Sequence, residues 1–74
     1  MEHRIKITKN DPVLVFGGEF TPRAYDGKYI HGFYRDVNSN GRPGDMRWWS
    51  YTPGELADDV QRLDGKEHTC TWEN

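Results

Sequence analysis

The strongest constraint on the fold of this chain is an aromatic strand that leads directly into a well-capped helix. Residues 45–51 (DMRWWSY) are predicted to form the strand, because aromatic residues favour strands. Residues 52–63 are predicted to form the helix: Thr52 and Glu55 have the spacing of a capping box, and Pro53 suits the first helical position. Because no linker separates the two elements, they must lie close together.

One side of the predicted helix is apolar. Leu56, Val60 and Leu63 recur at positions i, i+4 and i+7, which places them on a single stripe. Asp58 and Asp59 lie outside this stripe. We therefore expect the helix to pack its stripe against a sheet and to present an acidic face to solvent.

Further segments have the alternation or the composition of strands, namely residues 3–8, 13–16, 28–37 and 66–72. The continuous apolar run at 13–16 (VLVF) predicts a central strand that is covered on both faces. Residues 19–27 lack a clean period and contain proline and glycine, which predicts a loop.

These elements predict an α+β fold in the order β-β-β-β-α-β. We expect a small antiparallel sheet of four to five strands with one helix, in the C-terminal half of the chain, lying across a face of the sheet. A small SH3-like barrel with the helix as a closing turn is the alternative. The 74 residues of the chain predict a single domain, 1–74, with a thin core.

The composition makes aromatic residues important for that core. Val, Ile and Leu together number ten, and Phe, Trp and Tyr also number ten. Each aromatic side chain can bury on the order of 150–250 Å². A thin core cannot hide all of them, so we expect some of the aromatic residues to form an exposed patch.

Charge and hydropathy exclude some classes of partner. The net charge is -2, with an acidic excess in residues 52–74, which does not match the basic footprint of a general nucleic-acid binder. No apolar run approaches the roughly 20 residues that span a bilayer, so we expect no membrane partner. A single cysteine, Cys70, beside three histidines fits a reducing compartment, and the expected localisation is cytoplasmic.

One segment resembles the start of a calcium-binding loop. Asp36, Asn38, Asn40 and Gly41 occupy the first, third, fifth and sixth positions of the pattern D-x-[DN]-x-[DN]-G. The twelfth position, however, is Arg47 instead of the bidentate glutamate. The segment is better interpreted as a hairpin turn, and a weak metal-binding structural module remains an alternative.

No catalytic or zinc motif is present in the sequence. His3, His31 and His68 could meet Cys70 only if their strands were neighbours, and the short ligand pairs typical of zinc sites are missing. A nucleophile, a base and an orienting group cannot be identified from the spacing of the residues. The sequence therefore predicts no metal ligand, no cofactor and no enzymatic activity.

The hairpin at residues 28–51 carries the best candidates for a binding surface. Tyrosine, tryptophan and arginine are enriched at interface hot spots, and the acidic helix face would add electrostatic complementarity. We expect docking on another protein, as an adaptor or as a compact inhibitor of the kind carried by phages and other mobile elements. The expected partner-binding residues are Tyr34, Arg35, Arg47, Trp48, Trp49, Tyr51, Asp58 and Asp59.

Two questions stay open from the sequence. The same aromatic residues could stack the bases of a single-stranded nucleic acid, which is the main alternative to a protein partner. An edge strand at 3–8 or 67–73 could pair with a copy of itself, so the chain could be a monomer or a homodimer.

Overall fold

The described chain, residues 3–37 and 43–73 of a computed structural model, forms two β-sheets and one helix. The predicted α+β class is confirmed. Its elements within these ranges are β1 (His3–Thr8), β2 (Val13–Val15), β3 (Gly18–Tyr25), β4 (Ile30–Val37), β5 (Pro43–Tyr51), α1 (Pro53–Asp64) and β6 (His68–Glu73). The order agrees with the prediction except for one additional strand, β3. The center of the predicted hairpin tip, residues 38–42, lies outside the described residues.

The larger sheet is a four-stranded antiparallel meander in the order β2-β3-β4-β5. Its register pairs Thr21 with Phe33 and Phe33 with Trp48 across three strands. Side chains alternate between the two faces, so the sheet has an inner face, which contributes Phe20 and Ile30 to the core, and an outer face, which carries Phe33 and Trp48.

The smaller sheet pairs β1 and β6 in parallel, with His3 opposite His68. This pair and α1 complete the core above the inner face of the larger sheet. The smaller sheet is separate from the larger one, so the two do not form the continuous SH3-like barrel that was the alternative prediction. The buried core residues are Ile7, Val15, Phe20, Ile30, Tyr51, Leu56, Ala57, Val60 and Cys70.

The helix begins as its sequence predicts. The Thr52 hydroxyl accepts a hydrogen bond from the Glu55 backbone N–H at 3.1 Å, and the Glu55 carboxylate accepts one from the Thr52 N–H at 3.1 Å. This capping box is confirmed. Leu56 and Val60 of the predicted stripe are buried, but Leu63 is half exposed in the last turn. The stripe therefore contributes to the core only along the first turns of the helix.

The predicted loop at residues 19–27 is wrong, because most of this segment belongs to β3. Gly18, Phe20 and Pro22 are buried, whereas Glu19 and Thr21 point outward, which is the alternation of a strand. The proline is compatible with the strand because it lies beyond the end of β2. There its carbonyl accepts a hydrogen bond from the backbone of the preceding turn, and the missing N–H interrupts no ladder.

The prediction of a central strand at residues 13–16 is also wrong. β2 has only three residues and is an edge strand of the larger sheet. Leu14 is 63% exposed and Phe16 is 58% exposed, so the run is covered mainly through Val13 and Val15. The continuous apolar run therefore reflects exposed apolar side chains at a sheet edge and not burial on both faces.

We predict that Gly32→Ala strongly destabilises the fold. A Cβ at Gly32 would lie 2.9 Å from the Cα of Pro22 and still closer to the Thr21 carbonyl oxygen, so the strands β3 and β4 would have to separate. The expected loss is about 3 kcal/mol in the free energy of unfolding, measured by urea denaturation. Gly54→Ala is the control: its Cβ meets open space in α1, and we expect no loss of stability.

We predict that the Cys70 thiol is unreactive in the folded protein. Its side chain is buried, and burial raises the pKa of the thiol to about 11, so the reactive thiolate is scarce at neutral pH. Alkylation by iodoacetamide at pH 8, followed by intact mass, should be slow in buffer and fast in urea. Equal rates in the two solvents would contradict the buried position.

Candidate functional site

A groove with aromatic and acidic walls runs between β5 and α1. It is called here the β5–α1 groove, and its lining residues are Trp49, Ser50, Tyr51, Glu55, Asp58, Asp59 and Arg62. An adjoining depression shares part of this wall and is lined by Tyr34, Arg47, Trp49, Tyr51 and Asp59. The two together form one continuous surface on the inner-face side of the sheet, beside the core.

The alternation of β5 decides which side chains reach this groove. Arg47, Trp49 and Tyr51 share the inner face, whereas Trp48 and Ser50 share the outer face. Ser50 still borders the groove, although its side chain follows the alternation to the outer face, where its hydroxyl contacts His31. Both tryptophans are exposed, at 47% for Trp49 and 55% for Trp48, so each face of the strand presents one indole to solvent.

Tyr51 holds the floor of the groove in place. Its ring packs edge-on against Phe20, with 5.0 Å between the ring centroids, and the side chain is buried. Its hydroxyl donates a hydrogen bond of 2.5 Å to a carboxylate oxygen of Asp59. Burial and then the neighbouring Asp59 carboxylate raise the pKa of Tyr51 far above its usual value, so the phenol stays neutral and remains a donor.

Arg47 lies in the depression that adjoins the β5–α1 groove. Its guanidinium lies over the Tyr34 ring, 5.4 Å from the centroid, and over the Trp49 ring, 5.9 Å from the centroid. The same group donates to both oxygens of Asp36 on β4, at 3.0 and 3.2 Å. The Asp36 carboxylate therefore balances the charge of Arg47. The planar guanidinium of Arg47 packs against the Trp49 indole.

The helix side of the groove is acidic. Glu55, Asp58 and Asp59 follow one another at helical spacing along the first turns of α1, and Arg62 lies one turn further on. Hydrogen bonds from Thr52, first its backbone N–H, lower the pKa of Glu55, which keeps that carboxylate ionised. A groove with carboxylates on one wall and an indole on the other suits a cationic group.

The structure brings together six of the eight predicted partner-binding residues and separates two. Trp48 and Arg35 lie on the outer face: Trp48 packs edge-on against Phe33 at 5.0 Å, and Arg35 is opposite Met46. The six residues on the groove surface are Tyr34, Arg47, Trp49, Tyr51, Asp58 and Asp59. The hairpin thus has two separate surfaces where the sequence suggested one patch.

Besides Ser50 on β5, sequence reasoning missed two helix residues of the groove, Glu55 and Arg62. Both follow from helical geometry, because they lie three to four residues from Asp58 and Asp59 and so share a side of the helix with them. The sequence assigned Glu55 only to the capping box, so its position in the groove was not predicted.

The metal-binding alternatives have weak support from the geometry. Within residues 3–37 and 43–73, histidine, cysteine and acidic side chains do not gather in any group of three that could hold a metal ion. The His68 ring instead meets the Asp64 carboxylate, at 2.7 and 2.9 Å, and Cys70 is buried. Of the calcium-like segment, Asp36 is bound to Arg47, whereas positions 38–41 lie outside the described residues.

Comparisons with known proteins identify no relative. The chain has no significant match among protein-family models, curated proteins or solved structures. In the part of the chain that the structure describes, no helix combines the length and the apolar character needed to cross a membrane.

We predict that Tyr51→Phe loosens the contact between β5 and α1. The loss of a buried hydrogen bond to a charged acceptor is expected to cost about 1.5–3 kcal/mol, measured by urea denaturation at pH 7. Because the pKa of Tyr51 is raised in the folded state, its stabilising effect is complete below pH about 10 and is lost as the pH rises further. The variant should therefore lose less stability than the wild type between pH 9 and 11. An unchanged alkaline slope would contradict the role of this hydroxyl.

Proposed function

We propose that this chain is a small protein-binding module that holds a basic segment of a partner protein in the β5–α1 groove. The observation that carries this proposal is the position of the exposed Trp49 indole opposite the carboxylates of Asp58 and Asp59 in one groove. The module would act by occlusion: a partner whose lysine or arginine side chains occupy the groove cannot use that surface elsewhere. This mechanism suits an adaptor or an inhibitor.

The charge of the groove favours a basic occupant. Three carboxylates line it against one cation, Arg62, and the charge of Arg47 is matched by Asp36. The segment 52–74, which contains the helix, also carries the acidic excess of the chain. Such a field attracts lysine and arginine side chains and repels phosphate groups.

Trp49 has the properties of an interface hot spot. Its ring lies 6.4 Å from the rings of Tyr34 and Tyr51, and the Arg47 guanidinium lies over it. The indole is therefore exposed yet held in position by its neighbours. Side chains that are fixed before binding lose little conformational entropy when a partner docks.

A nucleic-acid partner is the alternative from a different class. The outer face carries Phe33 and Trp48, which could stack unpaired bases. On the described part of that face, however, Glu19 lies opposite Arg35 across neighbouring strands, so the Arg35 charge is offset there and contributes little to binding a phosphate backbone. Nuclease treatment separates the two classes of partner.

The test uses the two tryptophans as a matched pair. Wild type, Trp49→Ala and Trp48→Ala are used as baits in a lysate of the source cell, with and without nuclease, and retained proteins are identified and purified for binding measurements. We predict that a partner with a basic segment binds wild type and Trp48→Ala equally. Trp49→Ala should weaken the binding at least about tenfold, and Asp58→Lys should weaken it further.

Other outcomes would contradict the proposal. Binding that depends on Trp48 and not on Trp49 would place the interface on the outer face. Loss of all retained material after nuclease treatment would favour the nucleic-acid alternative. Salt dependence is a further check, because a charged groove should bind less tightly as the ionic strength rises.

A further inference from the structure

A chain of three polar side chains lies on the outer face of the larger sheet. The Nδ1 atom of His31 lies 2.6 Å from the Ser50 hydroxyl, and its Nε2 atom lies 2.9 Å from a carboxylate oxygen of Asp26. His31 and Ser50 are cross-strand partners on β4 and β5, and Asp26 comes from the turn that joins β3 to β4. We call this arrangement the Asp26–His31–Ser50 relay.

The hydrogen bonds determine which nitrogen of His31 carries the proton. Asp26 also accepts hydrogen bonds from the backbone N–H groups of Tyr29, at 2.7 Å, and Lys28, at 2.9 Å. These bonds, with that of Tyr29 the largest cause, hold the pKa of Asp26 well below its usual range, so it is a carboxylate that only accepts. The proton of a neutral imidazole must then lie on Nε2.

This tautomer activates the serine. With Nε2 protonated, Nδ1 of the neutral ring has a free lone pair, and the Ser50 hydroxyl at 2.6 Å donates its proton to it. A hydroxyl bonded to a base, which is in turn oriented by a carboxylate, is the arrangement that activates a serine nucleophile. The register of β4 with β5 brings His31 and Ser50 together, and the turn before β4 places Asp26 beside His31.

We propose that Ser50 is a nucleophile that reacts with activated esters and related phosphonyl electrophiles on the outer face, with His31 as its general base and Asp26 as the positioning residue for His31. This inference departs from the expectation that the chain has no enzymatic activity. It rests on contacts other than those that carry the groove proposal: Ser50 also borders the β5–α1 groove, but its hydroxyl bonds to His31, which lies on the outer face.

Aromatic side chains beside the relay suit an apolar substrate. The Trp48 ring is parallel to the His31 ring within 4°, with 6.3 Å between centroids, and Phe33 packs edge-on against the same indole. Trp48 is more than half exposed, so an apolar acyl or leaving group can lie on it next to Ser50. The substrate class is therefore a small ester with an apolar or aromatic part.

The reaction would proceed in two balanced steps. The Ser50 oxygen attacks the ester carbonyl while its proton moves to Nδ1 of His31, and the resulting imidazolium is stabilised by the Asp26 carboxylate. The leaving alkoxide departs with that proton as an alcohol, and the acyl group stays on Ser50. Water then attacks the acyl-serine through the same base, and a carboxylic acid and free Ser50 are produced.

Polar and charged groups surround the His31 ring. Asp26 and Ser50 bond to the ring, the Tyr29 ring lies 6.2 Å away, and the Lys28 ammonium lies over that tyrosine. The imidazole must be neutral to act as the base, because a ring with both nitrogens protonated can only donate to Ser50.

The test is covalent labelling of the full chain with a fluorophosphonate bearing an aromatic group. Ser50 would displace fluoride, and intact mass followed by peptide mapping would show one adduct at Ser50. Ser50→Ala should abolish labelling, and His31→Gln should slow it about a hundredfold, the low end of the contribution of a positioned general base. Asp26→Asn should slow it as well and change its pH profile, because the proton on Nε2 is no longer fixed.

Controls distinguish activation from chance reactivity. Gly54→Ala, in the first turn of α1, should label at the wild-type rate, and Thr21, a hydroxyl on the outer face of β3, should stay unlabelled. Thermal melting confirms that each variant is folded. Absence of an adduct on Ser50, a rate unaffected by His31→Gln, or equal labelling in urea would each overturn the proposal, whatever the outcome for the groove.

Discussion

The contact of Tyr51 with Phe20 and Asp59 is the interaction on which the remaining structure depends. The ring belongs to the core, the hydroxyl binds the helix, and the next residue, Thr52, caps that helix. One side chain thus connects β5, the core and α1. The acidic side of the helix and the aromatic side of the strand meet at this connection and line a single groove.

The two tryptophans show how a thin domain gains two surfaces from one strand. A helix and a strand pair cover only the inner face of the larger sheet, so alternate residues of β5 either border the core or face solvent. Trp49 lines the β5–α1 groove, and Trp48 packs against His31 and Phe33 on the outer face. Neither indole is needed to fill the core. Their exposure is the main physical argument that both faces take part in contacts or chemistry.

Local signals predicted local structure well, and the register of the sheet could not be predicted from them. The capping box and the strand that precedes it depend on neighbouring residues, and both are confirmed. β3 was missed because Pro22 is tolerated only where β2 has already ended, which is a property of the assembled sheet. The relay was missed for the same reason: His31 and Ser50 are partners only through the pairing of β4 with β5. Contacts of this kind are set by tertiary structure, and a single sequence does not encode them in its spacing.

The parallel pairing of β1 with β6 has a consequence for the order of folding. The hairpins of the larger sheet join segments that are close in sequence, whereas β1 must wait for the last strand before its hydrogen bonds can form. Loop closure over nearly the whole chain is entropically slow, and contacts of high sequence separation retard folding. During synthesis the first strand would thus leave the ribosome early and remain unpaired until β6 emerges. Its alternating charged residues, Arg4 and Lys6, keep this unpaired segment soluble and discourage pairing with other chains.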